Sequence, residues 1–312
     1  MSKKVTIFGA GLVVKPMVDY LAGKDYDITV ASRTLSKAEK LAAPHANVEA
    51  RQFLSDDEPV MIEFIKNSDL VVSLLPATLH VKVAEKCIEH KTDMVTTSYI
   101  SPQMRALNTK AEAAGIIILN EIGVDPGIDH MSAMKIFHKV ENEGGKIVSF
   151  MSYCGGLPAQ EANTNPLGYK FSWAPRGVLK AAGNGARFMI DGEVKEIEGK
   201  DLFKNYWFVD VEGVGTLEAY PNRNSLDYID LYDLKDVKTM YRGTFRNISH
   251  CETWYILSQM GFYSEDEVFE ELDGTVRDFI LTKIFQTSKT ENLKELLMKK
   301  YNLPEHSVIL KK

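Results

Sequence analysis

Short apolar runs, each about one strand long, alternate over the first 120 residues with segments whose apolar positions recur at helical spacing. Runs at 5–8, 28–31, 70–75, 94–97 and 116–119 predict strands, and the third of these is stopped by Pro76. Segments 13–21, 79–90 and 102–114 predict helices. Strands that are apolar throughout and alternate with helices indicate a parallel sheet covered on both faces. Beyond residue 120 the pattern changes. Pro126 suits the first turn of a helix that continues to about 142, where Gly144-Gly145 breaks it. Strands are then expected at 146–154, 186–190, 214–219 and 237–245, with turns such as Asp191-Gly192 linking some of them. The stretch 264–312 reads as strongly helical and ends in basic residues. The fold class expected is α/β: a Rossmann-type doubly wound parallel sheet, a second α+β domain with a mixed sheet, and a short helical C-terminal segment. The corresponding boundaries are 1–124, 125–262 and 263–312.

Composition narrows the class. The chain has 312 residues, a formal net charge of −6, 45% hydrophobic and 26% charged residues, which is ordinary globular usage. That apolar content excludes wholesale disorder. Mild acidity argues against a general nucleic-acid binder. No apolar run approaches the roughly 20 residues of a membrane helix, and the N-terminal run is too short for a signal peptide core. Cys87, Cys154 and Cys251 are odd in number and widely spaced, so a reducing, cytoplasmic setting is expected. His80, His90, His138 and Glu85 do not have the spacing of a metal site, and no metal is expected.

Candidate chemistry starts at Gly9-Ala10-Gly11, between a strand and a helix. Dinucleotide folds place a pyrophosphate on the helix N-terminus there, and glycine allows close backbone approach. Val14 stands where the usual third glycine would be. The second strand ends Ala31-Ser32-Arg33-Thr34, with no carboxylate for a ribose 2′-hydroxyl. Arg33 can instead fork onto a 2′-phosphate, assisted by Ser32 and Thr34, so NADP(H) is expected over NAD. The loops 75–78 and 96–99 lie where this fold puts the rest of the cofactor. Arg223 and Arg246, in loops or at strand ends, suit bidentate carboxylate binding. His130 reads either as a proton carrier or as a helix-face residue making a local bond. Cys154 reads more readily as a small buried hydrophobe than as a reactive thiol.

Longer strings carry a resemblance. These are VTTSYISPQM at 95–104, NEIGVDPGIDH at 120–130 and SYCGGLPAQEANTNPLGYKFSWAPRGVL at 152–179, extended by AYPNRNS at 219–225 and RGTFR at 242–246. Through them the chain resembles the saccharopine reductase family, the NADP-dependent, glutamate-forming saccharopine dehydrogenases, from its first strand to about Phe262. That family's nucleotide turn reads GxGxxxxP, matched by Gly9, Gly11 and Pro16. The resemblance implies interconversion of saccharopine and water with glutamate and aminoadipate semialdehyde, in lysine metabolism. It implies cofactor contacts at Gly11, Leu12, Val13, Val14, Ser32, Arg33, Thr34, Leu75, Thr97, Ser98, Val124, Asp125 and Pro126. It implies substrate contacts at Ser98, Tyr99, Asp125, Arg223, Thr244, Phe245 and Arg246. Ala174 replaces a serine that contacts the nucleotide in the family. Saccharopine carries three carboxylates and two amines, so the arginines suit its acids and Asp125 an ammonium. For proton transfer the candidates are Asp125, Tyr99 and Cys154, in that order, with His130 behind them.

The expected partner is a small molecule, with neither nucleic acid nor membrane, and a homodimer is one expectation for the second domain. The family typically continues beyond this length through a helical domain and a return segment. Residues 291–303 look like its extreme C-terminus, so an internal shortening is expected. Two rivals remain open: a catalytically impaired NADP(H)-binding relative serving as sensor or partner subunit, and an imine reductase for another amino acid or polyamine.

Overall fold

A computed structural model describes residues 2–264 and 274–311. The chain forms two compact units: 1–136 with 172–174, and 137–171 with 175–312, so the division falls inside one helix.

In the first unit the strands are β1 (Lys4–Phe8), β2 (Asp27–Ser32), β3 (Val48–Gln52), β4 (Leu70–Ser73), β5 (Asp93–Thr96) and β6 (Ile118–Leu119). All pair in parallel, in the order β3-β2-β1-β4-β5-β6. The helices are α1 (Lys15–Ala22), α2 (Leu35–Ala42), α3 (Glu58–Lys66), α4 (His80–His90), α5 (Pro102–Arg105) and α6 (Asn108–Ala114). Side-chain alternation explains the covering. Val5, Ile7, Ile28, Val30 and Val72 pack with Val18 of α1 and Ala38 of α2. Phe8, Ala31, Val71 and Met94 pack with Met61 and Ile65 of α3 and Val83 of α4. Neighbours in a strand face opposite sides, so a run apolar at every position is what a sheet buried on both faces requires. Each fully buried Ile, Met or Phe contributes roughly 1.5–3 kcal/mol. The expected Rossmann-type sheet is therefore present.

Several elements escaped the periodicity reading. Strand β3, sequence VEARQ, lies at the sheet edge and buries only Val48, so its apolar signal is a single residue. Helix α3 is announced by Asp57, whose carboxylate accepts from Val60 N at 3.2 Å, and by a proline in its first turn. The helix expected over 102–114 is two pieces, broken at 106–107.

The second unit contains the C-terminal part of α7 (Ile128–Asn142), from Phe137 on, then β7 (Ser149–Cys154), α8 (Pro175–Ala182), β8 (Ala186–Ile190), β9 (Glu193–Ile197), β10 (Trp207–Val211), β11 (Gly215–Pro221), α9 (Asp227–Leu231), β12 (Thr239–Arg246) and α10 (His250–Gln259). Strand β12 organises a mixed sheet. β7 runs parallel along residues 239–244, while β11 takes residues 243–246 and β8 meets Met240, both antiparallel. Asp191 and Gly192, both at positive φ, close the two-residue β8–β9 hairpin with register Ile190↔Glu193. The core holds Tyr169, Val178, Ala182, Leu202, Phe203, Cys251 and Trp254. Strand β9 (EVKEI) is almost wholly exposed, which left no apolar alternation to read.

The C-terminal stretch is less helical than expected. Among the described residues it holds α11 (Val276–Phe279), a π-helical turn at Ile280–Ile284, α12 (Leu293–Tyr301) and a 3-10 turn at Val308–Lys311. Part of the expected helix, 265–273, lies outside the described residues. Leu303, Met298 and Ile284 pack on Ile256 of α10 and on Met260 just after it, so tertiary contact and not helix length holds this stretch. Among the described residues no helix is long and apolar enough to cross a membrane.

Candidate functional site

The glycine turn follows β1. Gly9 has φ +115°, and a Cβ there would meet Leu74 O at 3.0 Å. Its requirement is thus conformational and steric, within the protein. At Gly11 an added Cβ would meet nothing within 4 Å, so its bare backbone faces open space. Helix α1 starts with no side-chain cap, which leaves the positive end of its dipole for an anion. Leu12 and Val13 are exposed. Val14 is buried in the core, so only its backbone can serve a ligand; filling that core is why valine replaces the usual glycine. Ser32 is buried, and its Oγ accepts from Thr34 N at 3.3 Å. Arg33 is exposed, and no partner for its guanidinium occurs among the described residues. An open glycine edge, an uncapped helix and an unpaired arginine at the end of β2 fit the pyrophosphate and 2′-phosphate of NADP(H).

The loops after β4, β5 and β6 converge beyond the carboxyl ends of the strands. Ile122 N donates to Thr96 O and Glu121 N to Ser98 O, both at 3.1 Å, joining the last two loops. Glu121, at φ +60°, accepts from Ile100 N at 3.0 Å and pairs with His130 Nε2 at 2.7 Å. His130 therefore makes the local bond that was one of its two readings. Tyr99 OH donates to Asp125 Oδ1 at 2.8 Å. Two of the three residues expected to move protons are thus in direct contact, across 26 positions of sequence.

Asp125 sits in a tight loop. Gly123 N donates to Pro126 O at 2.9 Å, Ile128 N to Gly123 O at 3.0 Å, and Gly127 N to Asp129 Oδ1 at 2.6 Å. Gly127 has φ +149°, and a Cβ on it would fall 2.1 Å from Gly123 O. Val124 is exposed beside Asp125, while Pro126 is buried. Thr97 is exposed, Leu75 is half-buried against the core, and Ser98 and Tyr99 are half-buried.

Sequence reasoning passed over one member of this cluster. His80, at the start of α4, is 3% exposed. Its Nδ1 lies 2.9 Å from Ser73 Oγ; its Nε2 lies 2.8 Å from Ser98 Oγ and 3.2 Å from Thr96 Oγ1. Burial lowers its pKa to about 4, so the ring is neutral near pH 7. The only sequence signal was that Ser73 and Thr96 are polar residues closing apolar strands.

In the second unit, Cys154 ends β7 in register with Thr244 on β12. Phe245 stacks on Tyr153 at 4.9 Å. Arg246 is buried, with its guanidinium 4.9 Å from the Tyr169 ring and 5.8 Å from Tyr220. Its Nη1 donates to Phe245 O at 2.9 Å, its Nε is buried without a partner, and no carboxylate among the described residues pairs with it. Arg223 is exposed in the turn after β11 at φ +53°, and its carbonyl accepts from Arg187 N at 2.9 Å. Ala174 is exposed.

Parallel strand order, glycine turn and phosphate-directed groups define an α/β dinucleotide-binding protein. Residues 5–119 match the family model described as "Saccharopine dehydrogenase NADP binding domain", and residues 123–311 match "Saccharopine dehydrogenase C-terminal domain". The chain belongs to the saccharopine dehydrogenase family. It is 42% identical over 283 residues to "Saccharopine dehydrogenase [NADP(+), L-glutamate-forming]" of Saccharomyces cerevisiae, covering 87% of this chain and 61% of that one. Its identity to the protein of the same name from Schizosaccharomyces pombe is 44% over 262 residues, covering 84% and 58%. The solved structure of apo histidine-tagged saccharopine dehydrogenase (L-Glu forming) from Saccharomyces cerevisiae superposes with TM-score 0.85 and 37% identity, over 99% of this chain and 71% of that one. The chain spans about three fifths of the length of these two fungal relatives. Family and NADP as cofactor are thus as the sequence motifs implied.

Proposed function

We propose that the chain interconverts saccharopine and water with L-glutamate and L-2-aminoadipate 6-semialdehyde, using NADP(H), in lysine metabolism. The observation that carries the reading is Arg246. A buried guanidinium cannot shed its proton, and without a carboxylate partner it is costly unless a ligand supplies the anion. Saccharopine, with three carboxylates, is such a ligand.

In the reductive direction the glutamate amine adds to the aldehyde and water leaves to give an imine. NADPH, when bound, would supply the hydride for reduction of the imine. Arg33 holds the 2′-phosphate, with Ser32 and Thr34 beside it. Gly11, Leu12 and Val13 would hold the pyrophosphate at the glycine turn, and Leu75, Thr97, Val124 and Pro126 would contact the rest of the cofactor. Asp125 holds the reacting nitrogen, and the hydrogen bond from Tyr99 keeps its carboxylate oriented. Ser98 contacts both ligands. Arg223 and Arg246, with Thr244 and Phe245, take substrate carboxylates. Cys154, on the strand beside them, is the remaining candidate for proton transfer. The three cysteines, all free thiols, support a cytoplasmic setting.

Purified protein is assayed for saccharopine-dependent NADP+ reduction. Turnover is the expected result. NADPH binding without turnover overturns the reading in favour of a binding subunit.

A further inference from the structure

We propose that His80 is a positioning residue: its imidazole, protonated at Nε2, holds Ser98 so that the Ser98 hydroxyl proton faces a bound acceptor. The inference rests on the reading that Ser98 contacts the ligand, and it adds a residue that does not itself touch one.

The two ring nitrogens have different surroundings. Nδ1 faces a single hydroxyl, Ser73 Oγ at 2.9 Å, which suits one lone pair accepting one proton. Nε2 faces two hydroxyl oxygens, Ser98 at 2.8 Å and Thr96 at 3.2 Å. One lone pair cannot serve two donors well, whereas one N–H can be shared by two acceptors. The chain of bonds then has one direction: Ser73 O–H to Nδ1, and Nε2–H to Ser98 Oγ. With its oxygen already accepting, Ser98 has its own proton to give. An anion-rich ligand requires a donor at that point, and the opposite tautomer would offer it lone pairs instead.

The same network argues against a proton relay. Ser73 is fully buried and ends the chain of bonds. A proton passed inward would remain on His80, which burial keeps neutral down to about pH 4. The network can orient, but it has no outlet through which to supply or drain a proton.

Nitrogen NMR of labelled protein reads the tautomer directly. The Nε2–H form is expected, unchanged between about pH 8 and pH 5. Two variants separate the ring nitrogens. His80→Gln puts an amide nitrogen near the Nε2 position and keeps the donor to Ser98. His80→Asn keeps a partner for Ser73 and loses Ser98. His80→Gln is expected within about threefold of the wild-type kcat/KM for saccharopine, and His80→Asn is expected to fall by about 10- to 100-fold, as Ser98→Ala does. The double variant His80→Asn/Ser98→Ala is expected to be no worse than Ser98→Ala, since both remove one interaction.

An Nδ1–H tautomer, equal impairment by Gln and Asn, or additive losses overturns the proposal. Should His80→Asn fail to fold, the spectrum and the Gln variant decide. If the protein binds NADPH but does not turn over saccharopine, the proposed function fails separately. The tautomer, with NADPH affinity in the same variants, then decides this inference alone.

Discussion

Arg246 and His80 are both buried ionisable side chains, and burial acts on them in opposite ways. Histidine answers desolvation by giving up its proton, whereas arginine keeps its charge and waits for an anion. Arg246→Ala should therefore raise the KM for saccharopine by about one to two decades, for an interaction worth about 1.5–3 kcal/mol; unchanged kinetics would exclude the role. Arg33 is exposed, and its proposed role is to hold a ligand phosphate. Arg33→Ala should reduce kcat/KM for NADPH and leave NADH nearly unaffected, measured by steady-state rates with each cofactor. His80 also links stability to pH. The unfolded chain takes up this proton near pH 6.5, and the folded chain resists until about pH 4. Stability from this group is therefore complete above pH 6.5 and is lost as pH falls towards 4, by up to about 3 kcal/mol. In denaturant unfolding, the wild type should lose stability relative to His80→Gln as pH falls through that window. Parallel curves would contradict the pKa shift.

At the scale of elements, the loop after β6 is built on Gly127. Its positive φ and its contact with Gly123 leave no room for any side chain. Gly127→Ala should cost at least about 2 kcal/mol of stability or displace Asp125, read from thermal unfolding and from loss of turnover. The motif NEIGVDPGIDH was legible as a turn-rich loop before a helix, because prolines and glycines punctuate locally. That Tyr99 would bond Asp125, and that Glu121 would take both Ile100 N and His130, was not legible. The Tyr99–Asp125 and Ile100–Glu121 bonds join different loops, and the parallel arrangement of β5 and β6 aligns them. Likewise β3 and β9 were missed because edge or exposed strands carry little of the apolar pattern that periodicity detects.

For the whole molecule, ligand binding and stability are coupled. A ligand at about 100 times its Kd stabilises the native state by about 2.7 kcal/mol. NADPH at that level should raise the unfolding midpoint in calorimetry by about 5–10 °C. NADH at equal concentration should raise it less, because Arg33 then has no phosphate to hold. Equal shifts would remove the 2′-phosphate assignment.

The strand–helix alternation of the first unit apart from its edge strand β3 and helices α2 and α3, the dinucleotide turn and NADP as cofactor were set down in the sequence itself. Each depends on neighbours in the chain: alternation within a strand, glycine and proline at a turn, an arginine closing the second strand. What His80, Tyr99 and Arg246 do was decided only by tertiary structure. Their properties come from desolvation and from partners brought near by folding, such as Ser98 for His80, Asp125 for Tyr99 and the Tyr169 ring for Arg246. A linear pattern records which residues can be buried, but the partners that meet them there are fixed by packing.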